Sequence, residues 1–439
     1  DWSSTRPAGN NSYFYPSASL STIVTDVFKI KSDVLSFLKL RANWAQVGSD
    51  TDPYQLYNTI PFNQDWGDVK RATIEFNLKN NFLKPEIATS YEFGGDLRFF
   101  KSRVGIDVTW YKTNKRNQII NIPTTIASGS SNRLINAGNI QNSGWEIGLN
   151  AVPFDGSFKW ETNVNFTRNE NKVIALSEGL KEYSMGSADG DNIRYLIKEG
   201  TKIGDFYTPS YTKVASGPNA GAALLDKTGH YIRNNSEYLK VGNYNPDFTM
   251  GFNNTFSYKN FTLNVLLDWR KGGNFYSYVV KSLINAGLTD NTLLGRDAET
   301  GGLPWTDSQG RKRNDGMVIP GYIADANGNL TPNTVIIAAS DFYNNTYNKY
   351  YERLTYSASF LKIREASFTY VFDKKLTRKL PISNLSLSLI GRNLYTWTAN
   401  GLGYDPETTM SVTEGFKLGV GHWTLPGTRS FGFKLSCNF

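Results

Sequence analysis

The chain has 439 residues, 47 Lys+Arg against 39 Asp+Glu for a net charge of +8, and an aromatic content of 14%. The basic excess is spread out and forms no cluster resembling a nucleic-acid arm, so nucleic acid is not an expected partner. The single cysteine, Cys437, permits no internal disulfide, the two histidines exclude a multi-histidine metal centre within the chain, and no run of 18 apolar residues supplies a membrane helix.

Abundant Tyr, Asn and Gly with many short apolar runs point to an all-β chain with long polar loops. Eleven segments alternate with period two, each with an apolar and a polar face. The first spans about 12–24. In 35–47, Leu38, Leu40, Ala42 and Trp44 oppose Lys39, Arg41 and Asn43. In 87–99, Tyr91, Phe93, Leu97 and Phe99 oppose Glu92, Asp96 and Arg98. In 103–120, Val104, Ile106, Val108 and Trp110 oppose Asp107 and Thr109. In 130–152, Trp145, Ile147 and Leu149 oppose Glu146 and Asn150; in 157–170, Trp160, Val164 and Phe166 oppose Glu161, Asn163 and Asn165. The segments 246–258 and 260–272 continue the pattern, with Leu266 as an exception. In 357–372 the parity slips near Arg364–Glu365, from Leu361 and Ile363 to Phe368, Tyr370 and Phe372, which predicts a bulge. Segment 384–397 sets Leu385, Leu387 and Leu389 against Ser386, Ser388 and Arg392. The last, 428–439, places Phe431, Phe433, Leu435, Cys437 and Phe439 on one parity.

Short connections alternate with long ones at 48–86, 171–245, 273–356 and 398–427, and only 121–129 breaks the rule. That alternation between amphipathic strands of about ten residues marks an outer-membrane barrel, with short periplasmic turns and long external loops. The turns 100–102, 153–156 and 373–383 are therefore expected in the periplasm. The polar parity then faces the lumen, which makes Arg41, Asp96, Asp107, Glu146, Glu161, Asp268 and Arg392 candidate lumen-facing residues. Segment 203–211, "IGDFYTPSY", reads as a further strand, which lies either in an external hairpin or beside an unrecognised partner strand.

Five stretches carry a resemblance: "LKPEIATSYEFGGDLRFF", "NAGNIQNSGWEIGLNAVPF", "NPDFTMGFNNTFSYKNFTLNVLLDWRKG", "ASFLKIREASFTYVF" and "GRNLYTWTANGLGYDPE". In this order they resemble the C-terminal barrel half of SusC/RagA-type TonB-dependent transporters, over essentially the whole chain. The resemblance implies an all-β fold, about 11 strands of a 22-stranded antiparallel transmembrane barrel, with residues 1–439 a partial barrel. The family's plug, TonB-binding box and first barrel strands precede this region and are expected in a missing N-terminal half. It implies a multi-pass protein of the Gram-negative outer membrane that imports a nutrient, usually an oligosaccharide and sometimes a peptide. Implied partners are a SusD-like surface lipoprotein acting as a lid, the missing half and TonB through it, outer-membrane lipids, and a second copy of the complex. The alternative is a passive barrel that scaffolds surface lipoproteins.

No catalytic residue, cofactor or metal is expected, and the chain does not read as an enzyme. Where many family members carry an acidic calcium-like loop, this chain has "LLDKTGHYIRNN", with Asp226 as the only acidic ligand. "DANGNLTPN" (325–333) has Leu330 and Ile336 where a calcium loop needs Gly and Glu, so an Asx turn is expected. Asp405 and Glu407 in "GYDPE" are read as fixing their loop. The aromatics of loop 273–356 self-pack, stack on sugar faces or dock a protein partner; Trp305, Tyr322, Tyr343, Tyr347, Tyr350 and Tyr351 are candidate contacts with the lipoprotein lid. Phe431, Phe433, Leu435 and Phe439 are candidates for barrel closure and for the assembly signal.

Overall fold

The computed structural model describes residues 1–177, 179–188, 192–377, 384–409 and 418–438. One sheet of eleven strands dominates it, and its strands neighbour one another in chain order. They are β1 (Ser17–Ile23), β2 (Leu35–Ser49), β3 (Glu86–Phe99), β4 (Val104–Arg116), β5 (Asn139–Asp155), β6 (Phe158–Ala175), β7 (Phe248–Tyr258), β8 (Phe261–Lys271), β9 (Phe360–Val371), β10 (Asn384–Thr398) and β11 (Ser430–Asn438). All ten pairings are antiparallel, and the sheet is open, with β1 and β11 at its two edges.

The register lines the sheet's two faces with different chemistry. Opposed residues share a face. One row runs Leu40, Gly95, Val108, Ile147, Phe166, Met250, Trp269, Leu361 and Trp397. The adjacent row runs Lys39, Asp96, Asp107, Gly148, Asn165, Gly251, Asp268, Lys362 and Thr396. Large side chains of the apolar face, among them Leu40, Phe93, Trp145 and Leu389, stand exposed. A water-soluble sheet would bury such a face.

The slip in β9 is a bulge. Leu266 and Leu267 of β8 pair with Glu365 and Ile363, so Arg364 is the extra residue, and β10 is irregular opposite it, between Tyr395 and Arg392. This brings Phe368 and Tyr370 back to the apolar face after Lys362 and Arg364 have both turned to the polar one.

Four strand boundaries differ from expectation by four residues or more. β1 begins at Ser17 rather than at 12, and β6 runs on to Ala175 rather than ending at 170. β4 ends at Arg116 rather than at 120, and β5 begins at Asn139 rather than at 130, because Asn117 (φ 56°) and Gly138 (φ 81°) turn the backbone left-handed there. The segments beyond form a separate hairpin, Ile119–Pro123 with Asn132–Asn136. The isolated strand of 203–211 is Asp205–Tyr211, the third of four in a loop sheet with Glu182–Ala188, Ile193–Lys198 and Arg233–Asn243.

Short connections lie at one end of the sheet. Phe100, Lys101 and Ser102 all take positive φ to close β3 onto β4, and Lys259 (φ 51°) closes the tight turn from β7 to β8. At the other end, three of the four long loops share one hydrophobic core. Ile193, Tyr195, Phe206 and Tyr244 meet Tyr276, Val280, Ile284, Ala339, Tyr343 and Leu354, with Val420 from the last loop. Parallel pairing joins Tyr276–Ser277 to Val420–Gly421, and the Tyr195 hydroxyl donates to the Leu418 carbonyl at 3.0 Å.

Candidate functional site

The polar face of the sheet and the loops above it meet at β9. Lys362 is 2% exposed, and a buried ammonium needs close counter-charge. Its Nζ lies 2.5 Å from Asp405 Oδ2 and 2.6 Å from Glu407 Oε2. Arg364, swung onto the same side by the bulge, grips both Glu407 oxygens, Nη1 to Oε2 at 2.7 Å and Nη2 to Oε1 at 2.6 Å. Its Nε and Nη2 also reach Asp268 Oδ2, at 2.8 and 2.5 Å. Five charged groups thus tie the "GYDPE" turn to two strands. Arg364 chiefly, with help from Lys362 and against the cost of burial, pulls the Glu407 carboxyl down to about 2. The turn is preorganised locally, since Asp405 Oδ1 accepts the Glu407 N–H at 2.9 Å and the Thr408 hydroxyl donates to the Asp405 carbonyl at 2.8 Å.

A cleft of about 640 Å³ opens beside this network. Its lining includes Arg364, Asp405 and Glu407, Asn393 and Thr396 of β10, and Tyr404, His422, Trp423 and Arg429. Trp423 is 64% exposed, and the His422 ring packs 5.6 Å from Tyr278. The site therefore offers flat aromatic surfaces next to fixed hydrogen-bonding groups.

The seven charged residues read as one parity do share one face. Arg41 makes a bidentate pair with Asp107 (2.8 and 2.6 Å) and donates to Thr109. Asp96 pairs with Arg98, Glu161 with Lys159, Asp268 with Arg364, and Arg392 with Glu365. Glu146 makes no ion pair among the described residues. Sequence reading passed over Lys362 and Arg270, whose Nη2 donates to the Tyr244 carbonyl at 2.6 Å, and took Arg364 only as the mark of a bulge. The polar position of Lys362 in "FLKIRE" was the available signal.

The aromatic candidates of loop 273–356 divide. Tyr343 and Tyr350 are only 5% and 8% exposed, which corrects their reading as surface contacts in this conformation. The loop needed a core of its own, and they fill it: the Tyr343 hydroxyl donates to the Leu294 carbonyl, and Tyr350 meets Tyr211 and Tyr231 edge-on. Tyr347 packs between Phe342 and Tyr343. Trp305 donates its indole N–H to Asp315 at 2.9 Å, and Tyr322 pairs with Leu224 of another loop; both stay half-exposed. Tyr351 opens the short turn Tyr351–Leu354. Phe431, Phe433 and Leu435 lie on the open edge strand at 79%, 77% and 60% exposure, and Phe439 falls outside the described residues, as do 378–383 of the expected turn 373–383.

His230 bridges two loops, with Nε2 3.0 Å from Asp341 Oδ2 and Nδ1 2.9 Å from the Thr228 hydroxyl. Asp325 accepts the N–H groups of Asn327 and Asn329, both at 2.8 Å, which makes the expected Asx turn. Asp226 serves the same purpose for Thr228 and His230.

Residues 1–265 match the family model described as TonB dependent receptor-like, beta-barrel. TonB-dependent receptor P3 of Formosa agariphila is 25% identical over 98% of this chain and 42% of its own length. TonB-dependent receptor P39 of the same organism is 26% identical over 90% of this chain and 40% of its own. The chain thus spans about two-fifths of these relatives. Among solved structures, the RagAB peptide importer in its closed-closed state superposes on 99% of this chain and 44% of its own, with a TM-score of 0.67 at 18% identity, a likeness of fold.

Proposed function

The chain belongs to the TonB-dependent receptor-like β-barrel family, and from that membership we propose that it is the barrel portion of an outer-membrane importer. Strands with one apolar and one polar row, short turns at one end and packed loops at the other carry this reading. In it the apolar row faces lipid. The polar row, with Arg41, Asp96, Asp107, Glu146, Glu161, Asp268 and Arg392, faces the lumen, and the loops stand at the cell surface. Residues 1–439 form one partial barrel domain. Its open edges pair with about eleven further strands of a missing N-terminal half that also brings the plug and the TonB contact, because unpaired backbone in hydrocarbon costs on the order of several kcal/mol per group.

The cargo proposed is an oligosaccharide, with a peptide as the next class. The cleft beside Lys362 supports it, since Trp423 and Tyr404 offer faces for sugar rings and Asn393, Thr396 and Asp405 offer hydrogen bonds. A surface lipoprotein of the SusD type is the proposed lid, and the assembly is proposed to dimerise. Uptake of a labelled oligosaccharide should depend on the complete gene and on TonB. Uptake that persists without TonB would favour the passive scaffold. A cysteine in loop 273–356 should react with a membrane-impermeant label on intact cells, and one in 100–102 should not; the reverse result inverts the orientation.

A further inference from the structure

Above the apolar band, the outward parity of the sheet changes from aromatic to cationic. On β4 this parity runs Val104, Ile106, Val108, Trp110 and then Lys112, Asn114 and Arg116. On β6 it runs Val164, Phe166 and then Arg168, Glu170 and Lys172. On β8, Lys271 follows Trp269 and lies opposite Phe248. The neighbouring strands contribute Tyr91 and Phe93 of β3, beside β4, and Trp145 of β5, between β4 and β6, all exposed.

Register fixes how these residues cluster. Trp110 is opposite Trp145, which is opposite Arg168; Lys112 is opposite Ser143, which is opposite Glu170; Asn114 is opposite Gln141, which is opposite Lys172. The cations therefore sit directly above an aromatic belt. At roughly 4.8 Å between strands, the arc from β4 to β8 is about 20 Å wide. Glu170 is the one acid of this parity among the described residues of β3 to β8, and Lys202 holds it at 3.0 Å. Lys112, Arg116, Arg168, Lys172 and Lys271 make no ion pair among the described residues.

Exposed cations on a surface continuous with an apolar band attract anions at the height where hydrocarbon ends. From Phe158 to Phe166 a tilted strand climbs about 20 Å, close to the depth of an outer-membrane apolar band. The group met just above is a lipid headgroup. We propose that Lys112, Arg116, Arg168 and Lys172, flanked by Lys271, form a binding site for the phosphate groups of a glycolipid in the external leaflet. The aromatic belt packs on its acyl chains, and Arg168 and Arg116 supply forked donors for phosphate oxygens. This rests on the barrel reading proposed above.

The test uses the complete protein, purified and inserted in bilayers, with phosphorylated lipid A and its dephosphorylated form as probes in native mass spectrometry. The wild type should retain phosphorylated lipid A in preference to the dephosphorylated form. The combined variant K112Q/R116Q/R168Q/K172Q should weaken that binding by about tenfold or more. K115Q, whose side chain has the opposite parity, should leave it unchanged. A heat-dependent shift in gel mobility shows that each variant is folded. An inserted wild type that holds both lipids equally, or a quadruple variant that binds as tightly as the wild type, overturns the site and leaves the barrel standing. Displacement of the lipid by millimolar inorganic phosphate overturns the lipid as the ligand. A wild type that fails to enter bilayers sinks the barrel reading itself.

Discussion

Lys362 shows how a single charge organises the site. Burial of an ammonium would be prohibitive alone, and two carboxylates within 2.6 Å make it tolerable. Removing both, with Asp405→Asn and Glu407→Gln, leaves Lys362 uncompensated at a local cost on the order of 3–5 kcal/mol. The described part of loop 398–427 should then become protease-sensitive while the barrel stays resistant to heat. Limited proteolysis with a parallel gel-shift assay reads both, and unchanged loop protection would refute the latch. The same contact has a pH dependence. Glu407 is drawn from 4.5 to about 2, so its contribution is complete above about 4.5 and is lost as pH falls toward about 2. Protection of the loop should therefore be flat from pH 7 to pH 5 and decline below about pH 4.5. A decline already between pH 7 and pH 5 would assign the latch to another group.

At the scale of an element, β9 accommodates one extra residue. Strict alternation through Arg364 would put Phe368 and Tyr370 on the polar side with Lys362; the extra residue absorbs that slip, and Ile363 and Glu365 face the consecutive residues Leu267 and Leu266. Deleting Ala366, a regular position, should turn Phe368 and Tyr370 to the polar side and abolish barrel assembly, whereas deleting the bulged Arg364, like Arg364→Ala, should permit assembly and loosen only the loop. Surface yield of heat-modifiable protein separates them, and normal assembly of the Ala366 deletion would show that strand parity in β9 is dispensable. β11 is the other exposed element. It leaves Phe431, Phe433 and Leu435 on an open edge, an arrangement that lipid does not permit without a partner strand. Deleting residues 431–439 should eliminate folded barrel, and normal surface levels after that deletion would remove the segment from closure and assembly.

Across the whole molecule, the burial is in the loops and the exposure is in the sheet. The core that joins Tyr195, Tyr276, Tyr343 and Val420 holds three connections together as one body above the polar face. A lid protein would meet that body rather than separate strands of chain. Removing most of 273–356 should therefore disturb loops 171–245 and 398–427 as well, and should lower co-purification of a lipoprotein partner. Recovery of partner at wild-type levels would count against the loop body as its docking site.

The eleven strands were legible in the sequence because each has two unlike faces, and period-two alternation records that locally without reference to a partner. The bulge at Arg364 was legible for the same reason, as a slip of parity. The chain could not disclose its loop core, because the contacts are non-local: Tyr195 and Leu418 are 223 residues apart. Nor could it show that Tyr343 and Tyr350 point inward, since an aromatic in a long loop has the same local pattern whether it packs or protrudes. "GYDPE" suggested a fixed loop, but only the fold placed Lys362 and Arg364 beneath it. Alternation is a property of one strand and can be read along it, whereas charge compensation and loop packing belong to pairs that only the folded chain brings together.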